Sequence, residues 1–270
     1  MRPVERVAIA AFLLTLNMLL NRLVGLAQVG PLFSFARISP GTSITLFASL
    51  LLGPFYGAFV GVAGDALGWV LMGQWTGTFN FFLSIYYACV GILPFFIGKL
   101  LGLAKSEKVP LLVCLIGFLA LFATSFILVW TAPGIEGLFV KAKFDVNLAK
   151  IIVSVILGVC ALGTFIGFIL LYKKKFGEKK MVGGLNLPIC FAIALVVELF
   201  AVFAKSASFV AFYSLILGTS IFKATGLDYW GLVVINTAFA AINVPLNAYL
   251  LSLYCTYGYH LIREVRHEEA

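Results

Sequence analysis

Charged side chains are scarce in this chain of 270 residues: Asp, Glu, Lys and Arg together make up 11%. A water-soluble domain usually carries about 25%, so there is too little polar surface here to cover a soluble globule. Histidine is scarcer still, with only His260 and His267 near the C-terminal end. The five cysteines, Cys89, Cys114, Cys160, Cys190 and Cys255, are scattered through apolar stretches without paired spacing. Neither a metal centre nor a disulfide framework is therefore expected. There is also no G-x-x-x-x-G-K-[ST] loop, no H-E-x-x-H and no G-x-S-x-G, nor any polar segment long enough to form a nucleotide-binding domain. Nucleotide, zinc-protease and serine-hydrolase chemistry thus lack their usual carriers. The chain is expected not to be an enzyme and to need no cofactor, and any energy source must lie elsewhere.

What the chain has in abundance is apolar length. Hydrophobic residues make up 62% and the mean hydropathy is +1.09. Runs of about 20 apolar residues recur, each long enough to cross about 30 Å of hydrocarbon. This predicts an all-α, polytopic helical membrane protein, a single transmembrane domain over 1–270 whose main solvent is the lipid bilayer. The first run begins almost at once and has no clear small-residue cleavage site after it, so it reads as a spanning helix rather than a signal peptide. The net charge of +8 gathers at the ends of the runs, in Lys99, Lys105 and Lys108, in Lys173, Lys174, Lys175, Lys179 and Lys180, and in Arg263 with Arg266. That is the distribution of the positive-inside rule, and no nucleic acid partner is expected.

Hydropathy and breakers predict helices over about 4–25, 42–53, 55–72, 79–103, 109–131, 146–172, 187–205 and 229–260, with Gly53-Pro54 forcing a turn between the second and third. The segment 206–228 is apolar enough to be a ninth span. With a cytoplasmic N-terminus, however, eight spans put all three basic clusters inside, whereas nine put Arg263 and Arg266 outside. A re-entrant or partly buried external segment at 206–228 is expected instead, with both termini cytoplasmic.

Polar residues inside apolar helices mark candidate sites, because burying them in lipid is costly. The stretch Arg37 to Trp69 carries one arginine and one aspartate. In its helix Gly57, Gly61, Gly64 and Gly68 make a narrow stripe that lets a neighbour approach closely, and Asp65 and Trp69 project from the flank. Asp65 reads either as a structural counter-ion to an arginine or as a ligand contact. In the last helix Tyr229, Asn236, Asn243, Asn247 and Tyr254 fall in one narrow sector, which suits interhelical hydrogen bonding as well as it suits a ligand. Asn17 and Asn21 do likewise in the first helix, Glu198 and Lys205 share a face of the seventh, and Trp75, Asn80, Tyr86 and Tyr87 are candidates for the walls of a site.

The order Arg37-Ile38-Ser39, Leu52-Gly53-Pro54-Phe55-Tyr56-Gly57-Ala58-Phe59-Val60-Gly61 and Gly64-Asp65-Ala66-Leu67-Gly68 resembles the substrate-binding S components of energy-coupling factor (ECF) transporters, most nearly the folate-type branch. Val197-Glu198-Leu199 and Asn243-Val244-Pro245-Leu246 resemble that family's fifth and sixth helices. The likeness covers about 1–104 and 187–262, which leaves 105–185 as an inserted helical hairpin in a bundle of about eight transmembrane helices. The resemblance implies a cell-membrane subunit that captures a small, vitamin-like molecule from outside. Its partners would be a membrane coupling subunit and two cytoplasmic ATPase subunits. It further implies a site in which Arg37 faces an anionic group, Asp65 with Asn80, Asn236, Asn243 and Asn247 bonds a polar ring, and Trp69 or Tyr86 stacks on it. The competing expectation is a self-sufficient secondary transporter in which Asp65, Glu198 and Lys205 carry a proton or ion.

Overall fold

The computed structural model describes residues 2–26, 38–71, 78–102, 108–131, 145–173, 185–220 and 229–268. Among them are eight α-helices and no strand: α1 Pro3–Leu26, α2 Gly41–Leu52, α3 Pro54–Leu71, α4 Phe81–Gly102, α5 Lys108–Thr131, α6 Val146–Lys173, α7 Leu187–Ala211 and α8 Tyr229–Glu268. The expected all-α polytopic bundle is what the chain forms. Six of the helices, α1, α4, α5, α6, α7 and α8, are long and apolar enough to cross a membrane. The 12 residues of α2 rise only about 18 Å, short of a full crossing.

Side-chain pairs fix how the helices run. Asn17 meets Thr45 and Asn21 meets Gly41, so α1 and α2 are antiparallel. At Gly53 the backbone takes φ 102°, a conformation that strains any residue with a Cβ. Pro54 then opens α3, where its missing N–H costs nothing. The chain folds back on itself, setting Gly57 beside Ser49 and Gly61 beside Thr45. Next, α3 runs antiparallel to α4, with Gly57 against Gly91 and Gly61 against the carbonyl of Tyr87. Any methyl added at Gly57 or Gly91 would overlap the facing backbone, so these two glycines set the closeness of the α3–α4 contact.

The core centres on α7, where Cys190 to Ala194 are all fully buried. Asn186 caps the helix by accepting a hydrogen bond from the Ile189 N–H at 3.0 Å, and Pro188 fits its first turn. Antiparallel to α7 lies α8, joined to it by Asn247 to Glu198 and by Asn236 to Ser206. The hairpin α5–α6 packs on the outside of this pair. Ser125 Oγ donates to the Thr237 carbonyl at 3.3 Å, the Leu195 side chain lies over Gly117, and Tyr249 OH donates to the Thr164 carbonyl at 2.9 Å. The outer face of α6, including Ile151, Val155, Val159, Leu162 and Ile166, is exposed, as suits a surface bathed in lipid.

One boundary differs from expectation. The seventh helix does not stop at 205: α7 continues to Ala211, then through a π-helical turn at Phe212–Ile216, and Gly218 at φ 62° follows. Of the segment expected to be re-entrant or partly buried and external, 206–216 is a partly buried helical extension of α7, while 221–228 lies outside the described residues. The cause is local. Ser206, Ser208 and Ser214 return their hydroxyls to the carbonyls of Val202, Ala204 and Val210 four residues back, so these polar side chains satisfy themselves inside the helix. The antiparallel pairing of α7 with α8 agrees with the absence of a ninth span between them.

Candidate functional site

A cavity of about 410 Å³ opens among α1, α2, α3 and α4, at the end of the bundle where α1 and α3 finish and α2 and α4 begin. Its volume is in the range of small-molecule sites. The glycine stripe of α3 explains its existence. Gly57 is packed against the backbone of α4, Gly61 lies between the Tyr87 carbonyl and the cavity, and Gly64 and Gly68 line the cavity, where a Cβ at Gly68 would meet nothing within 4 Å. One stripe thus serves two purposes, close packing at one end and open space at the other.

The α1–α2 wall is held by a ladder of amides and hydroxyls. Asn21 Nδ2 donates to Asn17 Oδ1 at 2.8 Å, Asn17 Nδ2 donates to Thr45 Oγ1 at 3.3 Å, and the Gly41 N–H donates to Asn21 Oδ1 at 3.2 Å. Both asparagines line the cavity, together with Ser39, Thr42 and Thr45 from the start of α2. Opposite them α3 supplies Asp65 and Trp69. The carboxylate of Asp65 accepts a hydrogen bond from Ser84 Oγ at 2.8 Å. The Trp69 ring stands edge-on to Phe79, centroids 5.4 Å apart, and Phe79 with Asn80 leads into α4 as part of the wall. Both side-chain polar atoms of Asn80 are buried and lack a hydrogen-bond partner.

A second, smaller space of about 30 Å³ lies beside the first and shares Ser39, Thr42 and Tyr87 with it. That is room for about two water molecules. It is lined by Tyr86, Glu198, Lys205, Asn236 and Asn243. Asn243 Oδ1 accepts from the Ser39 N–H at 3.1 Å and Asn236 Nδ2 donates to Ser206 Oγ at 3.0 Å.

Of the residues singled out in the sequence, Asp65, Trp69 and Asn80 come together on the larger cavity, and Tyr86, Asn236 and Asn243 on the smaller one. Asn247 lines neither. It is fully buried, with Oδ1 accepting from the Ser43 N–H at 3.2 Å and Nδ2 donating to Glu198 Oε1 at 2.7 Å, so it ties α2, α7 and α8 together. Arg37 and Trp75 lie outside the described residues, and with Arg37 so does the expected choice between an ion pair with Asp65 and a ligand contact. The hydroxyls of Thr42, Thr45 and Ser84 were not anticipated. The polar cluster Gly41-Thr42-Ser43-Ile44-Thr45 at the head of an apolar helix is the signal from which the first two were legible.

Comparison of the chain with protein-family models, with curated proteins and with solved structures finds no match. The resemblance to S components therefore rests on the short motifs quoted above.

Proposed function

We propose that this protein is a substrate-capture subunit of an ECF-type uptake system, binding a small vitamin-like molecule from outside the cell and passing it inward with a coupling subunit and ATPases. The observation that carries this is the cavity itself: about 410 Å³ inside a helical membrane bundle, walled by amides, hydroxyls, one carboxylate and an aromatic pair. Mostly apolar walls with a few fixed polar groups are what orient a small ligand. No chemistry on the substrate is involved.

Orientation follows from charge. The cavity lies at the end of the bundle opposite Arg2, Arg6, Lys99, Lys108 and Lys173, which occupy helix ends on the far side. By the positive-inside rule that far side is cytoplasmic and the cavity faces outward. At the cavity end Lys150 is buried against Trp130, donating to its carbonyl at 3.4 Å, and Lys205 lines the smaller space, so neither stands out as a topological charge. Cysteines introduced at Lys99 and Lys173 are expected to resist a membrane-impermeant thiol reagent applied to intact cells, while one at Asp145 reacts. The opposite labelling pattern would turn the cavity toward the cytoplasm and remove the capture role.

Energy supply tests the rest. Binding by the purified protein is expected to be independent of ATP, and vesicles holding this chain alone should equilibrate but not accumulate substrate. Glu198 and Lys205 side by side on a polar space within the bundle favour one other reading, an ion-coupled secondary transporter. Accumulation driven by an imposed proton or sodium gradient in those vesicles would make that the better account.

A further inference from the structure

We propose that the larger cavity opens sideways into the bilayer between α1 and α3, and that its ligand is an amphiphile, with a neutral polar head inside the bundle and one apolar chain leaving through that opening. This deepens the substrate-capture reading and rests on the cavity being a ligand site.

The residues of α1 that line the cavity do not share a face. Asn17 belongs to the buried side of the helix, together with Ala10 and Leu13. At 3.6 residues per turn Met18 stands about 100° round the helix from Asn17, and Thr15 and Leu19 about 160°, yet all four line the same cavity. The space therefore wraps round the flank of α1 and emerges from the bundle. Thr15 is exposed there and Leu19 is 51% exposed, on the outer side that Phe12 also presents.

Depth decides what lies outside the opening. Helix α1 is long and apolar enough to cross a membrane, and Thr15 and Leu19 lie about 14 and 20 Å along its axis from Arg6 at the cytoplasmic end. Against about 30 Å of hydrocarbon, the opening runs from the middle of the membrane into its outer half. It meets lipid. The gap has its cause in α3, where a Cβ on Gly64 would lie 2.9 Å from Asn17 Nδ2 and 3.7 Å from Leu14 Cδ1, so that the two helices touch. One turn on, a Cβ at Gly68 would meet nothing within 4 Å. The helices have parted.

The walls differ in chemistry along the same line. Toward α2 the cavity offers the amides of Asn17 and Asn21 and the hydroxyls of Ser39, Thr42 and Thr45, groups that both donate and accept hydrogen bonds. A neutral head carrying donors and acceptors fits that side. Toward the opening it offers Met18, Leu19 and the bare backbone of Gly68, and an unbranched methionine side chain adapts readily to what lies against it. A chain attached to the head can stay in hydrocarbon while the head is bound.

The opening and the ligand class are tested separately on the full chain. In lipid nanodiscs, Gly68→Cys carries a nitroxide, with Cys89→Ser and Cys160→Ser added so that the remaining cysteines are buried ones. Its collisions with oxygen, which concentrates in lipid, are compared with those of a water-soluble nickel chelate. Oxygen is expected to dominate, as at a labelled Phe12→Cys on the lipid face; dominance of the nickel chelate overturns the sideways opening. The probes for ligand class are N-octanoylethanolamine and N-acetylethanolamine, which share an amide and hydroxyl head and differ in chain length. In detergent the octanoyl compound is expected to raise the melting temperature of the unmodified protein and to bind at least about tenfold more tightly than the acetyl one, and Gly68→Phe is expected to lose that binding. Equal binding of the two, no binding of the octanoyl compound, or octanoyl binding that survives in Gly68→Phe overturns the amphiphile assignment. The site reading stands or falls on its own: it holds if a molecule that co-purifies with the unmodified protein, whatever its polarity, is lost from Gly68→Phe, and it fails if Gly68→Phe retains every co-purified molecule.

Discussion

Replacing Asn247 by leucine lowers the stability of the protein by about 3 kcal/mol, the larger share of it from one stranded carboxyl group. Asn247 is completely buried and spends its amide on two other helices, accepting from the Ser43 N–H of α2 and donating to Glu198 of α7. Leucine fills a similar volume but leaves the Glu198 carboxyl without this donor, while the Ser43 N–H keeps its bond to the Pro40 carbonyl at 3.2 Å. Stranding a buried polar group costs about 1–3 kcal/mol, more when it is charged. Interhelical hydrogen bonds inside membranes average nearer 0.6 kcal/mol, so the loss of attraction alone would be small, and the stranded carboxyl decides the outcome. Asn236→Leu is the comparison: it breaks a neutral bond to Ser206, and Ser206 still bonds to the Val202 carbonyl. Its cost is expected below about 1 kcal/mol. Denaturation of both variants in the same detergent checks this, and equal losses would remove Asn247 from its role as the tie between α2, α7 and α8.

The second large effect is on binding. Gly68→Phe places a side chain where a Cβ meets no atom within 4 Å and where α3 lines the cavity. The unliganded protein should fold and melt almost unchanged, since the Cβ meets nothing within 4 Å and the cavity offers the ring space. A ligand, by contrast, must give up that space or force the new ring into already packed surroundings, an overpacking cost of about 1–3 kcal/mol that corresponds to as much as about 100-fold in affinity. The same substitution at Gly57, facing the Gly91 backbone, would instead separate α3 from α4 and destabilise the fold.

That contrast shows where the sequence is legible and where it is not. Spacing alone put Gly57, Gly61, Gly64 and Gly68 on one stripe, correctly, because helical periodicity is a property of the segment. Which of them face a helix and which face a cavity depends on Gly91 and Tyr87 of α4, some 30 residues away in the chain, and no local pattern carries that. The Gly53-Pro54 turn and the ends of most helices were readable for the same local reason, whereas charge bookkeeping, which set 206–228 apart from the spans, carries no information on where the seventh helix ends. The asparagines of α8 left glue and ligand contact as alternatives. Asn247 is glue, and Asn236 and Asn243 bond across to neighbours while lining the smaller space. Asn80 was expected as part of a wall and, from the resemblance, as a contact to a polar ring. That its amide is buried and unused becomes visible when the Thr78–Asn80 segment is set against the cavity.

The central claim is that the cavity among α1 to α4 holds a small molecule. Its most direct test is to purify the unmodified protein and Gly68→Phe side by side from the same cells and to compare, by mass spectrometry after denaturation, the small molecules each releases. The expected result is a compound recovered in near-stoichiometric amount from the unmodified protein and absent from Gly68→Phe, although both are folded and melt alike. Release of the same compound in the same amount from both proteins would contradict it.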